Sequence, residues 1–358
     1  GIMTALSDMI RLREEKGLHY LVSVDNDFTS PLYDGDKSNY VYLGASGKLL
    51  PCFYIVGKET HVGHAFEGLD PSLIAANIVR RIDLNTELCD SYNDDYTMAP
   101  ALLKLRDLKE SYNVQTPIST FLYFNYYVND ISVSGVTAIL RERAEKAFEE
   151  TIAYLESQKQ IHCGKTGLPY SPSDWEPLVM TFSELCNAVE SEGVSLAGVL
   201  TPLAERLKSE GYDARELCME AVKKVYSMWK SKKPAVIFFY SPPYCPHNTL
   251  KSENEEESKI AGLVREAAHD VSLREKLNIK VMQFYPNLSD SCYIKIDDDM
   301  ASLDHLVDNC PCWKDIYNVP FNKITSLNIP AVTLGCYGKD AHKHTERLYK
   351  PYSFDTLP

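Results

Sequence analysis

Basic residues are scarce in this sequence. It has 37 lysines and arginines against 50 aspartates and glutamates, which gives a formal charge of −13. Nucleic acids and anionic membrane surfaces are bound through clustered Lys and Arg, so neither is an expected partner. No apolar run is long enough to span a bilayer, and no amino-terminal signal pattern is present. We therefore expect a cytoplasmic protein that acts on a small molecule or a peptide.

Several catalytic and binding motifs are also missing. There is no G-x-S-x-G elbow, no P-loop and no G-x-G-x-x-G dinucleotide motif. The ten cysteines include no C-x-x-C pair, and Cys310-Pro311-Cys312 lacks a second pair that would complete a tetrahedral zinc site. We expect reduced thiols, most of them in the hydrophobic core.

The residues that are present indicate a soluble globular protein. Hydrophobic residues make up 44% of the 358 residues, which suits about two domains with buried cores. Apolar residues recur at helical spacing from Ile2 to Ile10, and Gly17 suits a helix C-cap. No capping residue precedes Ile2, so we expect that the natural chain begins earlier.

Strand and helix signals alternate along the chain. Residues 20–24 are predicted to form a buried strand, and residues 235–240 are a continuous apolar run typical of a strand covered on both faces. Strand, helix and strand in this order favour an α/β fold. Further strands are predicted at 49–56, 118–128, 279–284 and 331–334, and helices at 136–158, 195–210, 213–230 and 255–277.

Asp27 lies just past the strand predicted at residues 20–24. In α/β sheets, ligands bind beyond the carboxyl ends of the strands. Asp27 is therefore a candidate metal ligand, although an aspartate that merely caps a turn is the commoner case.

A second candidate loop follows the strand predicted at residues 331–334. It contains Asp340 and His342, and Glu346 follows four residues after the histidine. Neutral imidazole is a common zinc ligand, and a nearby carboxylate can fix its tautomer. His344 competes for the same role, and a surface histidine without a metal is the commoner case.

His61 lies between a predicted strand and the helix that begins at Asp70, with His64 three residues later. The two imidazoles could bind a metal, but no carboxylate or cysteine accompanies them at a recognisable spacing. A single imidazole that donates to a developing oxyanion is the sharper hypothesis. A purely structural histidine stays equally open.

Three stretches together resemble one family. They are residues 57–68 (GKETHVGHAFEG), 285–293 (YPNLSDSCY) and 335–358 (GCYGKDAHKHTERLYKPYSFDTLP). They are similar to the RocB family of arginine-utilisation proteins, which is itself similar to the zinc aminoacylases and carboxypeptidases. Succinyl-diaminopimelate desuccinylase, acetylornithine deacetylase and carboxypeptidase G belong to that wider group. The resemblance covers essentially the whole chain.

The resemblance implies a domain plan. A zinc-peptidase-like catalytic α/β domain, with a mixed sheet and flanking helices, would be interrupted by an α+β lid that commonly forms the dimer interface. The catalytic domain would comprise residues 1–45 and 186–358, and the lid residues 46–185. A homodimer through the lid is the expected assembly.

The resemblance also implies metal ligands. Enzymes of this group use two divalent metal ions, usually zinc, with a Glu as general base for the attacking water. Asp27 matches the carboxylate ligand that follows a strand. His342 matches the carboxy-terminal histidine ligand, because Ala341 precedes it and Glu346 follows at the family spacing.

Other residues match the substrate side of the family site. His61 matches the lid histidine that stabilises the tetrahedral oxyanion, in several relatives at the partner subunit's active site. Ser289 and Asp290 match a loop near the substrate pocket, and Glu346 is a further candidate for substrate binding.

The chain departs from the family pattern at its start. The family's His-x-Asp motif, bridging Asp and Glu-Glu pair all belong upstream of Gly1. Glu14-Glu15 imitates the pair, but it lies within an amphipathic helix and after the expected position, so we reject it as the base. Two metal ligands and no general base remain, and we expect this chain alone to be inactive.

The sequence thus favours one function and leaves another open. The favoured function is metal-dependent hydrolysis of an amide bond in a small amino-acid derivative or short peptide, with a link to arginine catabolism. The alternative is a family member without catalysis that serves in binding or assembly. An unrelated α/β domain is disfavoured by the three linked stretches.

Overall fold

The computed structural model describes residues 2–357. No helix within these residues has the length and apolar character needed to cross a membrane. The α-helices span Ile2–Lys16, Pro71–Ile82, Val133–Thr166, Phe182–Ser191, Ala197–Ser209, Ala214–Met228, Glu255–Glu275, Met300–Asp308, Trp313–Ile316 and Phe321–Leu327.

Local capping explains where the predicted helices begin and end. The Asp70 carboxylate accepts a hydrogen bond from the Ser72 amide at 2.8 Å, and Pro71 occupies the first turn. The helix predicted at residues 136–158 is longer and spans Val133–Thr166. It begins after the Ser132 N-cap and ends at Gly167, whose φ of 72° is left-handed.

A six-stranded sheet forms the larger β-structure. Its antiparallel part follows the order strand, helix, strand, strand, helix, strand of a split β-α-β unit. The helices Pro71–Ile82 and Val133–Thr166 pack against each other, and the first of them also packs on the sheet. In spatial order the strands are Val179–Thr181, Ala235–Tyr240, Pro51–Val56 and Ser119–Val128, with Gly47–Leu49 and Ala101–Asp107 both paired to the last.

A four-stranded mixed sheet forms the second β-structure. Its order is Ser23–Asp25, Ala331–Thr333, Asn39–Tyr42 and Ile279–Met282. The two outer pairings are parallel, and the central one is antiparallel. Mixed sheets with helices packed around them confirm the predicted α/β class.

Three two-stranded ribbons complete the β-structure of the described residues. They are Gly44–Ala45 with Asn248–Thr249, Ser91–Tyr92 with Asp95–Tyr96, and Gly338–Lys339 with Arg347–Leu348. The last of these shapes the loop that carries His342.

The buried strand predicted at residues 20–24 is wrong in its extent and its burial. The strand is Ser23–Asp25, at the edge of the four-stranded sheet, where it pairs with Ala331–Thr333. Leu21 is 67% exposed and Val24 62% exposed. An apolar run signals a strand but not the number of its neighbours, and here one side of the strand is open.

One hydrophobic cluster joins the two sheets. It extends from Tyr42 in the four-stranded sheet to Phe238 in the six-stranded sheet. Ala235–Tyr240, which follows the predicted lid boundary at residue 185, pairs along its whole length with Pro51–Val56 inside the predicted lid. The domain boundaries remain predictions, and the six-stranded sheet contains strands from both sides of residue 185.

All ten cysteines are free thiols, as expected of a protein without disulfides. Five of them are buried, and the other five are partly exposed. The core therefore holds half of the thiols, fewer than expected. The buried ones are Cys52, Cys218, Cys245, Cys292 and Cys310.

Candidate active site

Two loops meet at one edge of the four-stranded sheet. Ser23–Asp25 and Ala331–Thr333 are parallel neighbours, so their carboxyl ends lie at the same edge. Asp27 follows the first strand, and the loop that carries His342 follows the second. This crevice is the usual location of a ligand site in an α/β sheet.

Backbone hydrogen bonds hold the two loops together. The Leu334 amide donates to the Asp25 carbonyl at 3.0 Å, and the Thr29 amide donates to the Cys336 carbonyl at 2.7 Å. The Gly338 amide returns a bond to the Thr29 carbonyl at 3.0 Å. The position of Asp27 is therefore coupled to that of the His342 loop.

Gly335 permits the closest approach between these loops. A Cβ at this position would lie 1.8 Å from the Asp27 carbonyl oxygen and 2.8 Å from Asn26 Oδ1. No side chain fits in that space, so the contact requires glycine.

Replacing Gly335 with Ala should therefore destabilise the protein. We expect the free energy of unfolding to fall by about 1–3 kcal/mol, the usual cost of overpacking, measured by urea denaturation. Gly262→Ala is the matched control, because a Cβ there meets nothing within 4 Å and Gly262 lies inside the helix Glu255–Glu275. That control should keep or raise stability, since Ala favours helix by about 1 kcal/mol over Gly. Equal stability of the two variants would contradict the close contact.

Asp27 and His342 line the same cavity. This space, named here the Asp27 cavity, has a volume of about 460 Å³ and also contacts Tyr127 of the six-stranded sheet and Tyr285. Its walls thus come from both sheets. The predicted convergence of Asp27 and His342 on one cleft agrees with this arrangement, while their roles as metal ligands stay predictions.

A second cavity adjoins the first. The Asp290 cavity, of about 530 Å³, shares Asp27 and His342 with the first and adds Asp25, Ser289 and Asp290. The structure therefore brings four of the predicted site residues to one region. Their carboxylates make this region acidic.

Hydrogen bonds orient the two aspartates nearest the strand end. Asp27 Oδ1 accepts from the Phe28 amide at 2.7 Å, so Asp27 does cap its own turn, as the simpler interpretation predicts. The Ser289 hydroxyl donates to Asp25 Oδ2. Ser289 therefore positions a carboxylate rather than standing free for substrate.

Tyr285 is a neutral donor in the wall of the Asp27 cavity. Its hydroxyl donates to the Phe28 carbonyl at 2.5 Å. Burial, with a further contribution from the negative charge of Asp27, raises the pKa of Tyr285 to about 12. The phenol thus keeps its proton at neutral pH and helps to fix the turn that carries Asp27.

Glu346 holds the backbone of the His342 loop. Its Oε2 accepts from the His342 amide at 2.8 Å, and His342 has a left-handed φ of 62°. Glu346 lines neither cavity, and the same is true of His344, the competing candidate ligand. His342 is therefore better placed than His344 for a role at the site.

His61 lies away from this region within the chain. It is exposed and caps the short helix Val62–Glu67, where its Nδ1 accepts from the Gly63 amide at 3.0 Å. A neutral imidazole that accepts at Nδ1 carries its proton on Nε2 and can donate from there. Neither cavity includes His61.

His64 does not form a metal pair with His61. Its Nδ1 lies 3.5 Å from Glu67 Oε1, and the two imidazole rings are 6.3 Å apart. The two rings and Glu67 are not arranged to hold an ion together.

Two curated proteins are similar to this chain. Protein RocB of Bacillus subtilis (strain 168) is 36% identical over 358 residues, which is 100% of this chain and 63% of RocB. The chain is RocB-like along its entire length. The uncharacterized protein YqjN of the same strain is 32% identical over 327 residues, 91% of this chain and 58% of YqjN. The resemblance to RocB that three stretches predict is confirmed, and the chain spans less than two thirds of either relative.

Comparison with family models and solved structures adds less. No family model matches the chain. Aminopeptidase PepT from Bacillus cereus ATCC 10987 aligns with 93% of this chain and 53% of its own, at 11% identity and a TM-score of 0.40. A TM-score below 0.5 does not establish a shared fold.

The side chains of the RocB-like chain fit a metal site in type but not in number. Carboxylate oxygens and an imidazole nitrogen are suitable donors, and Asp27 and His342 supply both at one cavity. Within residues 2–357, however, no three His, Cys, Asp or Glu side chains are placed to hold an ion together. Zinc sites use three or four protein ligands, so further ligands would have to come from elsewhere.

Three residues of the site were not singled out from the sequence. Asp25 had a usable signal, because residues two apart in an extended chain share a face and Asp25 precedes Asp27 by two. Tyr127 and Cys245 had none, since each reaches its cavity through pairing with a distant segment.

Proposed function

We propose that this chain is part of a metal-dependent hydrolase that cleaves an amide or peptide bond in a small amino-acid derivative or short peptide. The observation that carries the proposal is that Asp27 and His342, which match family ligands, line one cavity although 315 positions separate them in sequence. Arginine catabolism in the cytoplasm is the proposed setting.

Each residue of the site has a proposed task. Asp27 and His342 would each contribute a ligand to a pair of divalent ions, preferably zinc, with the remaining ligands and the general base outside this chain. Such ions would supply Lewis-acid polarisation of the scissile carbonyl and activation of water. Asp25, held by Ser289, and Asp290 would maintain the negative charge that favours cations.

A homodimer through the six-stranded sheet completes the proposal. The edge strand Ala101–Asp107 pairs with Ser119–Val128 along one side, and it carries Leu103 and Leu105 at 53% and 44% exposure. An exposed edge with apolar side chains is a template for pairing with another chain. Such pairing would bring the exposed His61 within reach of a partner subunit's site, where its Nε2 proton could stabilise an oxyanion.

Loss of catalysis is the second candidate function. It is favoured by the lack of any three-ligand group within residues 2–357. A protein of this kind would use the six-stranded sheet for assembly and the acidic cavities for binding alone.

Metal content and hydrolysis separate these candidates. We expect the complete product of the encoding gene to hold about two zinc ions per chain and to hydrolyse members of a panel of N-acyl amino acids and short peptides. Residues 1–358 produced alone should hold zinc below stoichiometry and show no turnover, because two ligands bind the ion weakly. Full zinc content and full turnover of residues 1–358 alone would refute the assignment of the site. A complete protein without metal and without turnover would favour the binding role.

A further inference from the structure

Lys48 is the central member of a row of three side chains across the six-stranded sheet. It stands opposite Tyr127 in the antiparallel pairing of Gly47–Leu49 with Ser119–Val128. On its other side it forms an antiparallel bridge with Cys245, with amide–carbonyl bonds of 2.8 and 3.0 Å. Directly opposed residues carry their side chains on the same face of a sheet, so Tyr127, Lys48 and Cys245 share one face.

This face is the one that borders the candidate site. Tyr127 lines the Asp27 cavity, and Cys245 lines the Asp290 cavity. The neighbours of Lys48 in its strand, Gly47 and Leu49, are buried on the opposite face, as the alternation of a strand requires. Lys48 therefore lies between two residues that form walls of the acidic region.

The ammonium of Lys48 has no acidic partner within residues 2–357, unlike the other partly buried lysines near it. Lys104 contacts Glu216, and the buried Lys295 lies 3.3 Å from Glu257. Burial lowers the pKa of Lys48 below its ordinary value. A bound anion would offset the cost of keeping this charge away from water.

The charge distribution indicates which part of a ligand lies here. The carboxylates of Asp25, Asp27 and Asp290 repel an anionic group from the opposite wall. Lys343 also lines the Asp27 cavity, but it is exposed and lies 3.5 Å from Asp340. Lys48 is thus the better placed cation for a negatively charged end of a substrate.

We propose that the Lys48 ammonium binds a carboxylate of the substrate and so selects amides that carry a free carboxylate, such as N-acyl amino acids and peptides. This inference rests on the proposed hydrolase function and adds to it the substrate class. Lys48 then orients the substrate with its carboxylate at the six-stranded sheet and its amide bond toward Asp27 and His342.

Binding and turnover of matched acids and amides test this role. The complete, zinc-loaded gene product is titrated by calorimetry with a panel of N-acetyl amino acids and with the carboxamide of each. The acids should bind roughly 10- to 100-fold more tightly than their amides, the usual worth of a charge-assisted hydrogen bond. Lys48→Met should lose that factor for the acids and leave the amides unchanged, with the loss in KM rather than kcat for any hydrolysed member.

Two further variants guard the interpretation. Lys48→Arg keeps the positive charge and should retain part of the preference for acids. Lys224→Met replaces an exposed lysine in the helix Ala214–Met228 and should bind every compound as the unaltered protein does.

The outcomes separate this inference from the proposed function. Equal affinity of the unaltered protein for acids and amides, failure of every acid to bind, or equal losses for both in Lys48→Met overturns the role of Lys48. Acid preference that depends on Lys48 without any hydrolysis supports the role of Lys48 and refutes the hydrolase function. Hydrolysis of acids and amides at equal KM does the reverse.

Discussion

Replacing Asp27 with Asn in the complete protein should abolish hydrolysis. We expect turnover to fall by about 10³-fold or more, because metal-ion catalysis supplies several kcal/mol and each 1.36 kcal/mol is worth about tenfold. Zinc content should fall in parallel, since a neutral amide is a poorer ligand than a carboxylate. His342→Gln should give the same two losses, because both residues line the Asp27 cavity. Metal analysis and initial rates on the same preparations measure the effect.

The neighbouring loops supply matched controls. Asp34→Asn removes an exposed carboxylate near Asp27, and His344→Gln removes the competing imidazole two residues from His342. Both controls should keep their metal and their turnover. If His344→Gln loses zinc while His342→Gln retains it, the ligand has been assigned to the wrong histidine. Full turnover of Asp27→Asn would leave that residue with its turn-capping bond to the Phe28 amide as its sole role.

Much of the fold follows from local sequence patterns. The apolar run at Ala235–Tyr240 is fully buried, and Pro71–Ile82 buries Ile74, Ile78 and Ile82 on the face that their spacing predicts. These patterns suffice because burial on one face or both faces depends on the residues of the element itself. The short edge strand Ser23–Asp25 was misjudged, since burial there depends on a neighbouring strand and not on its own apolarity.

The candidate site divides along the same line. Asp27 and His342 could be predicted because each follows a strand, and parallel neighbours end at one edge of the sheet. The contact of Glu346 with the His342 amide could not, because it depends on the left-handed turn at His342. Lys48 was equally hidden, since its place beside the site depends on the pairing register with Tyr127 and Cys245.

His61 offers the second large effect, and its test depends on its distance from the Asp27 cavity. Replacing His61 with Ala in the complete protein should lower turnover by about 10²–10³-fold, the usual worth of one oxyanion donor. Zinc content should not change, because no metal role is proposed for His61. His64→Ala is the control three residues away, where the imidazole pairs with Glu67 and not with a reaction centre. A loss of zinc in His61→Ala would make it a ligand instead.

Mixed dimers decide whose active site His61 serves. Within one chain His61 is exposed and lines neither cavity that contains Asp27. A His61→Ala subunit keeps an intact Asp27 site, and an Asp27→Asn subunit keeps an intact His61. If His61 reaches across a two-fold interface, mixing the two inactive variants should restore up to about half of the activity per mixed dimer, since one of its two sites is then complete. Activity that stays at the level of the separate variants, in dimers shown to exchange subunits, would place His61 outside the partner's site.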